Sequence, residues 1–115
     1  MFNYIHLDPS ELEFIQIAPL VELIPGGRLF VEVDGKAIVI FDLAGTLFAI
    51  GDVCTHDNGP LGDGEIDDHD VICPRHGARF DIRTGKASGL PAVVDIPAYP
   101  VRIEGEMIQI GVPKK

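Results

Sequence analysis

The sequence predicts an all-β fold, and three observations predict it. Short runs rich in β-branched and aromatic residues recur along the chain. Tight-turn dipeptides stand between them, and 13 Gly with 9 Pro in 115 residues imply short elements joined by frequent turns. Many strands at close spacing mean a β-sandwich or small barrel.

Taken in order, Pro9–Leu12 is the one helix candidate, a single turn after Asp8. Strands are expected at Phe14–Pro19 (FIQIAP), Arg28–Val33 (RLFVEV), Lys36–Phe41 (KAIVIF) and Thr46–Ile50 (TLFAI). Asp34-Gly35 is a hairpin signal, because both residues tolerate positive φ, and Ala44-Gly45 reads as the next turn. Later, ARFDI, AYPVRI and EMIQIGV repeat the strand habit, with Glu104-Gly105 as a further tight turn. Phe14, Ile17, Val31, Val33, Ile38, Ile40, Leu47, Ile50 and Val101 are the expected core. The chain therefore reads as one domain, residues 1–115: a β scaffold with one long insertion, about Val53–Pro91, of loops and short strands.

Composition narrows the function. Eighteen acidic against nine basic residues give a net charge of −9, which repels phosphate and makes nucleic acid and anionic membrane poor partners. Such a surface can be steered towards a basic protein face. The first residues, MFNYIHLDPS, lack the basic and apolar regions of a signal peptide, and no run approaches the ~18 apolar residues of a membrane span. A cytoplasmic location is expected, where a structural disulfide is unfavourable and the two cysteines need another explanation. With only two Ser in the chain a hydrolase triad has little support, and no phosphate-binding glycine loop is present.

The insertion holds both cysteines and three of the four histidines. Cys54-Thr55-His56 and Cys73-Pro74-Arg75-His76 each offer one thiolate and one imidazole from a short loop. Four such ligands suit zinc or an iron–sulfur cluster. Gly59, Gly62, Gly64, Gly77 and Pro74 let the loops curl around such a centre. Asp63, Glu65, Asp67, Asp68 and Asp70 between the pairs read as a solvated face, while Arg79 and Arg83 alternate with Phe80 and Ile82 as on a strand with one wet face. His69 and His6 read as surface residues.

C-x-H followed by C-x-x-H at this separation resembles the Rieske [2Fe–2S] motif, in which two His replace two Cys on one iron. GDVCTH, LGDGEI, VICPRHGARFDIRTGKA and the GLPA stretch at Gly89–Ala92 are similar to Rieske ferredoxins of bacterial aromatic-ring-hydroxylating dioxygenase systems. The likeness runs from about Phe14 to Val112, and residues 1–13 match nothing useful. It implies a Rieske-like sandwich or small barrel with a cluster-binding insertion. It implies that Cys54 and Cys73 bind one iron, that His56 and His76 bind the other, and that Leu61, Pro91, Gly77 and Ala78 lie around the cluster.

The same resemblance implies a carrier of single electrons from a flavin-containing reductase to a terminal oxygenase, each bound transiently. Rieske oxygenases add a domain with a 2-His-1-carboxylate iron, for which only His6 and His69 remain here. Respiratory members carry a Ser and a Tyr that donate to cluster sulfur; the matching positions here are Ala78 and Phe80. They also carry a disulfide between the loops, at the places of Gly59 and Arg75. These departures imply a potential near the bottom of the roughly −150 to +300 mV Rieske range. Two other functions stay open at this point. One is the small subunit of an assimilatory nitrite reductase, which shares the fold; the other is a zinc-stabilised interaction module without redox chemistry.

Overall fold

Among the described residues (4–55, 59–75, 77–90 and 94–114) of this computed structural model, eleven strands form, with three single-turn 3₁₀ helices. The strands are β1 Leu12–Pro19, β2 Arg28–Val33, β3 Lys36–Leu43, β4 Thr46–Gly51, β5 Ile66–Asp67, β6 Asp70–Ile72, β7 Arg79–Asp81, β8 Ala87–Gly89, β9 Ala98–Tyr99, β10 Val101–Glu104 and β11 Met107–Pro113. They build three antiparallel sheets in the orders β1-β11-β10, β2-β3-β4-β9 and β5-β6-β7-β8. The all-β expectation holds, and the expected helix is one 3₁₀ turn, Pro9–Glu11, capped by the Asp8 carboxylate accepting from the Ser10 N–H at 2.9 Å.

The middle sheet is buried on both faces, and β3 shows why. KAIVIF does not alternate apolar with polar, which is the pattern of a strand with no wet side. Ile38 and Ile40 join a core with Val33, Ala49, Tyr99, Ile108 and Ile110, which lies against the β1-β11-β10 sheet. Val39 and Phe41 point the other way, into a second core with Ile50, Cys54, Leu61, Val71, Cys73, Phe80, Ile82 and Ile96. Of the expected core, Val33, Ile38, Ile40 and Ile50 are buried; Ile17, Val31, Leu47 and Val101 are half-buried at its rim, and Phe14 is half-buried under the Arg102 guanidinium. The second core was not anticipated. It gives the stretch between β4 and β9 its own packed interior.

Three boundaries differ from expectation for physical reasons. AYPVRI is two strands, because Pro100 has no N–H for a ladder: β9 pairs with β4, whereas β10 pairs with β11. The chain changes sheets at that proline, whose carbonyl accepts from the Gly111 N–H at 2.9 Å. The last hairpin turns on Gly105-Glu106, since Glu104 already pairs with Met107 and Gly105 takes φ 62°. Short β5, β6 and β8 carry too few residues to show a period.

Asp34-Gly35 and Ala44-Gly45 each join strands as two-residue turns with positive φ at both centres. Ala44, at φ 53°, pays the ~1 kcal/mol left-handed penalty of an L-residue with no side-chain compensation. Ala44→Asn is expected to stabilise the fold by about 0.5–1 kcal/mol, because Asn-Gly is the preferred pair for this turn. Thermal unfolding checks it; a lower midpoint would show that Ala44 is not the strained partner.

Candidate functional site

Cys54 and Cys73 lie in the second core, 0% and 1% exposed, as thiols. Each stands at the start of a loop closed in the same way. The Cys54 N–H donates to the Gly59 carbonyl at 2.7 Å, and the Cys73 N–H donates to the Ala78 carbonyl at 2.7 Å. In each case the acceptor is five residues on, so two loops of equal size return upon their cysteines. Gly77, at φ 73°, donates its N–H to the Cys73 carbonyl at 3.0 Å and tightens the second loop. His56 falls within the first loop by position and His76 within the second; their placement, like that of Pro91, lies outside the described residues.

A third turn separates the two loops. Leu61 is fully buried in the same core as both cysteines. The Leu61 and Gly62 N–H groups donate to Asp52 Oδ1 at 2.9 and 2.6 Å, and the Gly64 N–H donates to the Leu61 carbonyl at 3.0 Å. Gly64 is pressed onto the strand that leads into Cys73: a Cβ there would overlap the Ile72 carbonyl oxygen. Leu61 therefore fills the apolar space shared by the thiols, and Asp52 anchors it from two residues before Cys54.

Ala78 and Phe80 are fully buried beside Cys73, so the side chains around it there are apolar and bring no hydroxyl. The guanidinium of Arg75 lies across Gly59, 2.7 Å from where a Cβ would stand, and so spans the two loops. Thr55 Oγ1 donates to the Val94 carbonyl at 2.6 Å, tying the first loop to the stretch that follows Pro91. Leu90 and Val94, on either side of that stretch, are 79% and 56% exposed.

The acidic segment is only partly a solvated face. Arg79 Nη2 meets Asp67 at 2.6 Å and its Nε meets Asp70 at 3.2 Å, across β5, β6 and β7. Those carboxylates hold the Arg79 guanidinium above its ordinary pKa. Arg83 grips Asp81 at 2.9 Å; burial opposes ionisation of Asp81, and the Arg83 hydrogen bonds outweigh it, so its pKa is lowered. Exposed pairs of this kind are worth about 0–1 kcal/mol each, and they set the register of the small sheet more than its stability. His69 stands in the β5–β6 turn, 3.2 Å from the Asp68 carboxylate, and His6 is exposed.

Thr55 was expected to shape its loop, and its hydroxyl bond fits that; Asp52 and Arg28, which hold the Leu61 turn, were not anticipated from the sequence. Asp52 had a signal, its position inside GDVCTH. Arg28 had none, being 34 and 36 residues from the carbonyls it serves.

Buried thiols paired at the mouths of matching loops supply the soft half of an iron–sulfur or zinc donor set, and imidazoles within the same loops would complete it. A β-sandwich carrying a small-sheet insert of this design defines a small cluster- or metal-binding β protein. The chain belongs to the Rieske [2Fe–2S] domain family, whose model matches residues 13–100. Membership brings one Rieske-type [2Fe–2S] cluster.

The chain is 33% identical over 99 residues to the naphthalene 1,2-dioxygenase system ferredoxin component of Pseudomonas putida, covering 86% of this chain and 95% of that one. It is 37% identical over 101 residues to the 3-phenylpropionate/cinnamic acid dioxygenase ferredoxin subunit of Escherichia coli (strain K12), covering 87% and 94%. Among solved structures, the ferredoxin of carbazole 1,9a-dioxygenase from Nocardioides aromaticivorans IC177 superposes with a TM-score of 0.79 at 32% identity, covering 88% and 98%. A putative NADH-dependent nitrite reductase small subunit from Mycobacterium tuberculosis shares the fold alone, at 22% identity and a TM-score of 0.73, covering 90% and 98%. The curated relatives are ferredoxins, electron-transfer components rather than catalytic subunits. Among the described residues, no helix is long and apolar enough to cross a membrane.

Proposed function

We propose that this chain is the ferredoxin of an aromatic-ring dioxygenase system, passing single electrons from a flavin-containing reductase to a terminal oxygenase in the cytoplasm. The observation that carries the proposal is the pair of buried thiols, Cys54 and Cys73, at the heads of two loops closed alike. Residues 1–115 act as one domain, and about Val53–Pro91 is its cluster-binding part. Cys54 and Cys73 hold one iron, and His56 and His76 hold the other. Bound there, the cluster supplies one-electron redox chemistry.

The chain's own residues decide how that chemistry is used. Leu61 and Ala78 exclude water from the thiol side. Two neutral imidazoles in place of two thiolates leave the oxidised site neutral rather than doubly negative, which favours uptake of an electron. With Ala78 and Phe80 the chain gives up the hydroxyl donors that would favour it further, and the potential falls to the low end of the range. Leu90 and Val94 are exposed apolar side chains, suited to brief docking by a partner.

Iron and acid-labile sulfide in anaerobically purified protein test the assignment, with EPR after dithionite reduction. Equal iron and sulfide with a Rieske-type signal are expected. Zinc without sulfide would overturn the carrier and leave the four residues as a structural clasp.

A further inference from the structure

Arg28 opens β2 on the middle sheet, far in sequence from either cysteine loop. Its Nη1 donates to the Gly62 carbonyl at 2.6 Å and to the Gly64 carbonyl at 2.7 Å, so one nitrogen holds both ends of the turn behind Leu61. The guanidinium rests over the Phe41 ring, 5.3 Å from its centroid, and Phe41 belongs to the core that contains both thiols. Beneath the turn the fit is close. A Cβ at Gly62 would stand 2.8 Å from the Phe30 ring, 3.0 Å from Val39 Cβ and 3.0 Å from Asp52 Oδ1. From that seat the turn reaches Cys54 through Asp52 and Cys73 through the Gly64–Ile72 contact.

We propose that Arg28 is a positioning residue for the redox centre: it seats the Leu61–Gly64 turn on the middle sheet and thereby keeps Leu61 sealed over the two thiols. The inference rests on the ligand assignment proposed above. Arg28 contributes in two ways with opposite signs. Its positive charge favours the more negative reduced state, so losing the charge lowers the potential. Its grip excludes water, and water admitted to the thiolates stabilises the reduced state, so losing the grip raises it. Carbonyl hydrogen bonds from a single nitrogen at 2.6 and 2.7 Å are short and charge-assisted, and the seal they hold governs.

Two variants of the holoprotein separate the effects. Arg28→Met removes charge and grip together, whereas Gly62→Ala unseats the turn and leaves the guanidinium in place. Voltammetry reads the potential, and hydrogen–deuterium exchange reads the peptide spanning residues 59–66, where Asp52 protects the Leu61 and Gly62 amides. Both variants are expected to raise the potential and to speed exchange at those amides at least ten-fold. Faster exchange with an unmoved potential makes Arg28 a scaffold brace and overturns the proposal. A potential that falls in Arg28→Met while Gly62→Ala leaves it unchanged reduces Arg28 to a charge, and unchanged exchange in Arg28→Met removes the grip; either overturns it. If Arg28→Met yields no holoprotein, Arg28→Lys, which keeps the charge and loses the planar fork, decides on the same two readouts. A parent protein without a Rieske EPR signal would strike the ligand assignment instead.

Discussion

Gly64→Ala is expected to empty the chain of iron while leaving the β1-β11-β10 and β2-β3-β4-β9 sheets folded. An added methyl at Gly64 would run into the Ile72 carbonyl oxygen, a backbone atom that cannot rotate away as a side-chain tip can. The surroundings close off every small adjustment. Gly64 donates its N–H to the Leu61 carbonyl, its own carbonyl accepts from Arg28, and the Ile72 N–H donates to Glu65 at 2.8 Å. Relief requires either lifting the Leu61 turn out of the core or pushing Ile72, and Cys73 after it, away from Cys54. Overpacking of this kind costs roughly 1–3 kcal/mol, and more where backbone must move. That energy is drawn from the insert core, because the core between the other two sheets is made of different residues.

Iron per chain and the thermal midpoint measure the loss, with Gly105→Ala as the comparison. Gly105 has positive φ but nothing within 4 Å of an added Cβ, so it should lose only the ~1 kcal/mol of a left-handed alanine and keep its iron. A Gly64→Ala protein with full iron and a midpoint no lower than that of Gly105→Ala would show that the turn is not packed against the cysteine loop as described.

The contrast between these glycines indicates what the sequence could reveal. Hairpins were legible because Asp34-Gly35 and Ala44-Gly45 state their backbone conformation locally. The two cysteine loops were legible as loops, because Cys54 and Cys73 each stand in a short stretch with Gly or Pro, and the structure closes each loop back on its cysteine. Nothing local marks Gly64 as a contact residue rather than one more loop glycine, because the atom it must avoid belongs to Ile72 in another strand. Arg28 was hidden for the same reason. Its partners are carbonyls, which every residue carries, so no residue type at positions 62 and 64 betrays the bond. The insert core was missed because Leu61, Val71, Phe80 and Ile96 come from segments too short to show a period. β3 points the other way: its unbroken apolar run is the mark of two buried faces, and the second face is the insert core.

Ala78→Ser and Phe80→Tyr, singly and together, are expected to raise the reduction potential, by on the order of 100 mV for the pair within a Rieske span of roughly 450 mV. At 59 mV per decade for one electron, that is about a 50-fold shift towards the reduced form. Both side chains are fully buried in the core that contains Cys73, so an added hydroxyl would have no water to turn to. Its remaining acceptors would be backbone carbonyls and cluster sulfur. The carbonyls nearest to hand are already engaged: that of Ala78 accepts from the Cys73 N–H, and that of Cys73 accepts from the Gly77 N–H. Sulfur becomes a better acceptor as the site gains negative charge, so the new bonds strengthen on reduction and the potential rises. Without the cluster the same hydroxyls would be buried without partners, at about 1–3 kcal/mol each. The apo-protein should therefore lose stability as the holoprotein gains potential. Voltammetry of the three variants, beside thermal unfolding of their apo forms, reads both sides of that linkage. Apo forms that are destabilised while the potentials stay at the parent value would mean that the hydroxyls lie in the core but point away from sulfur.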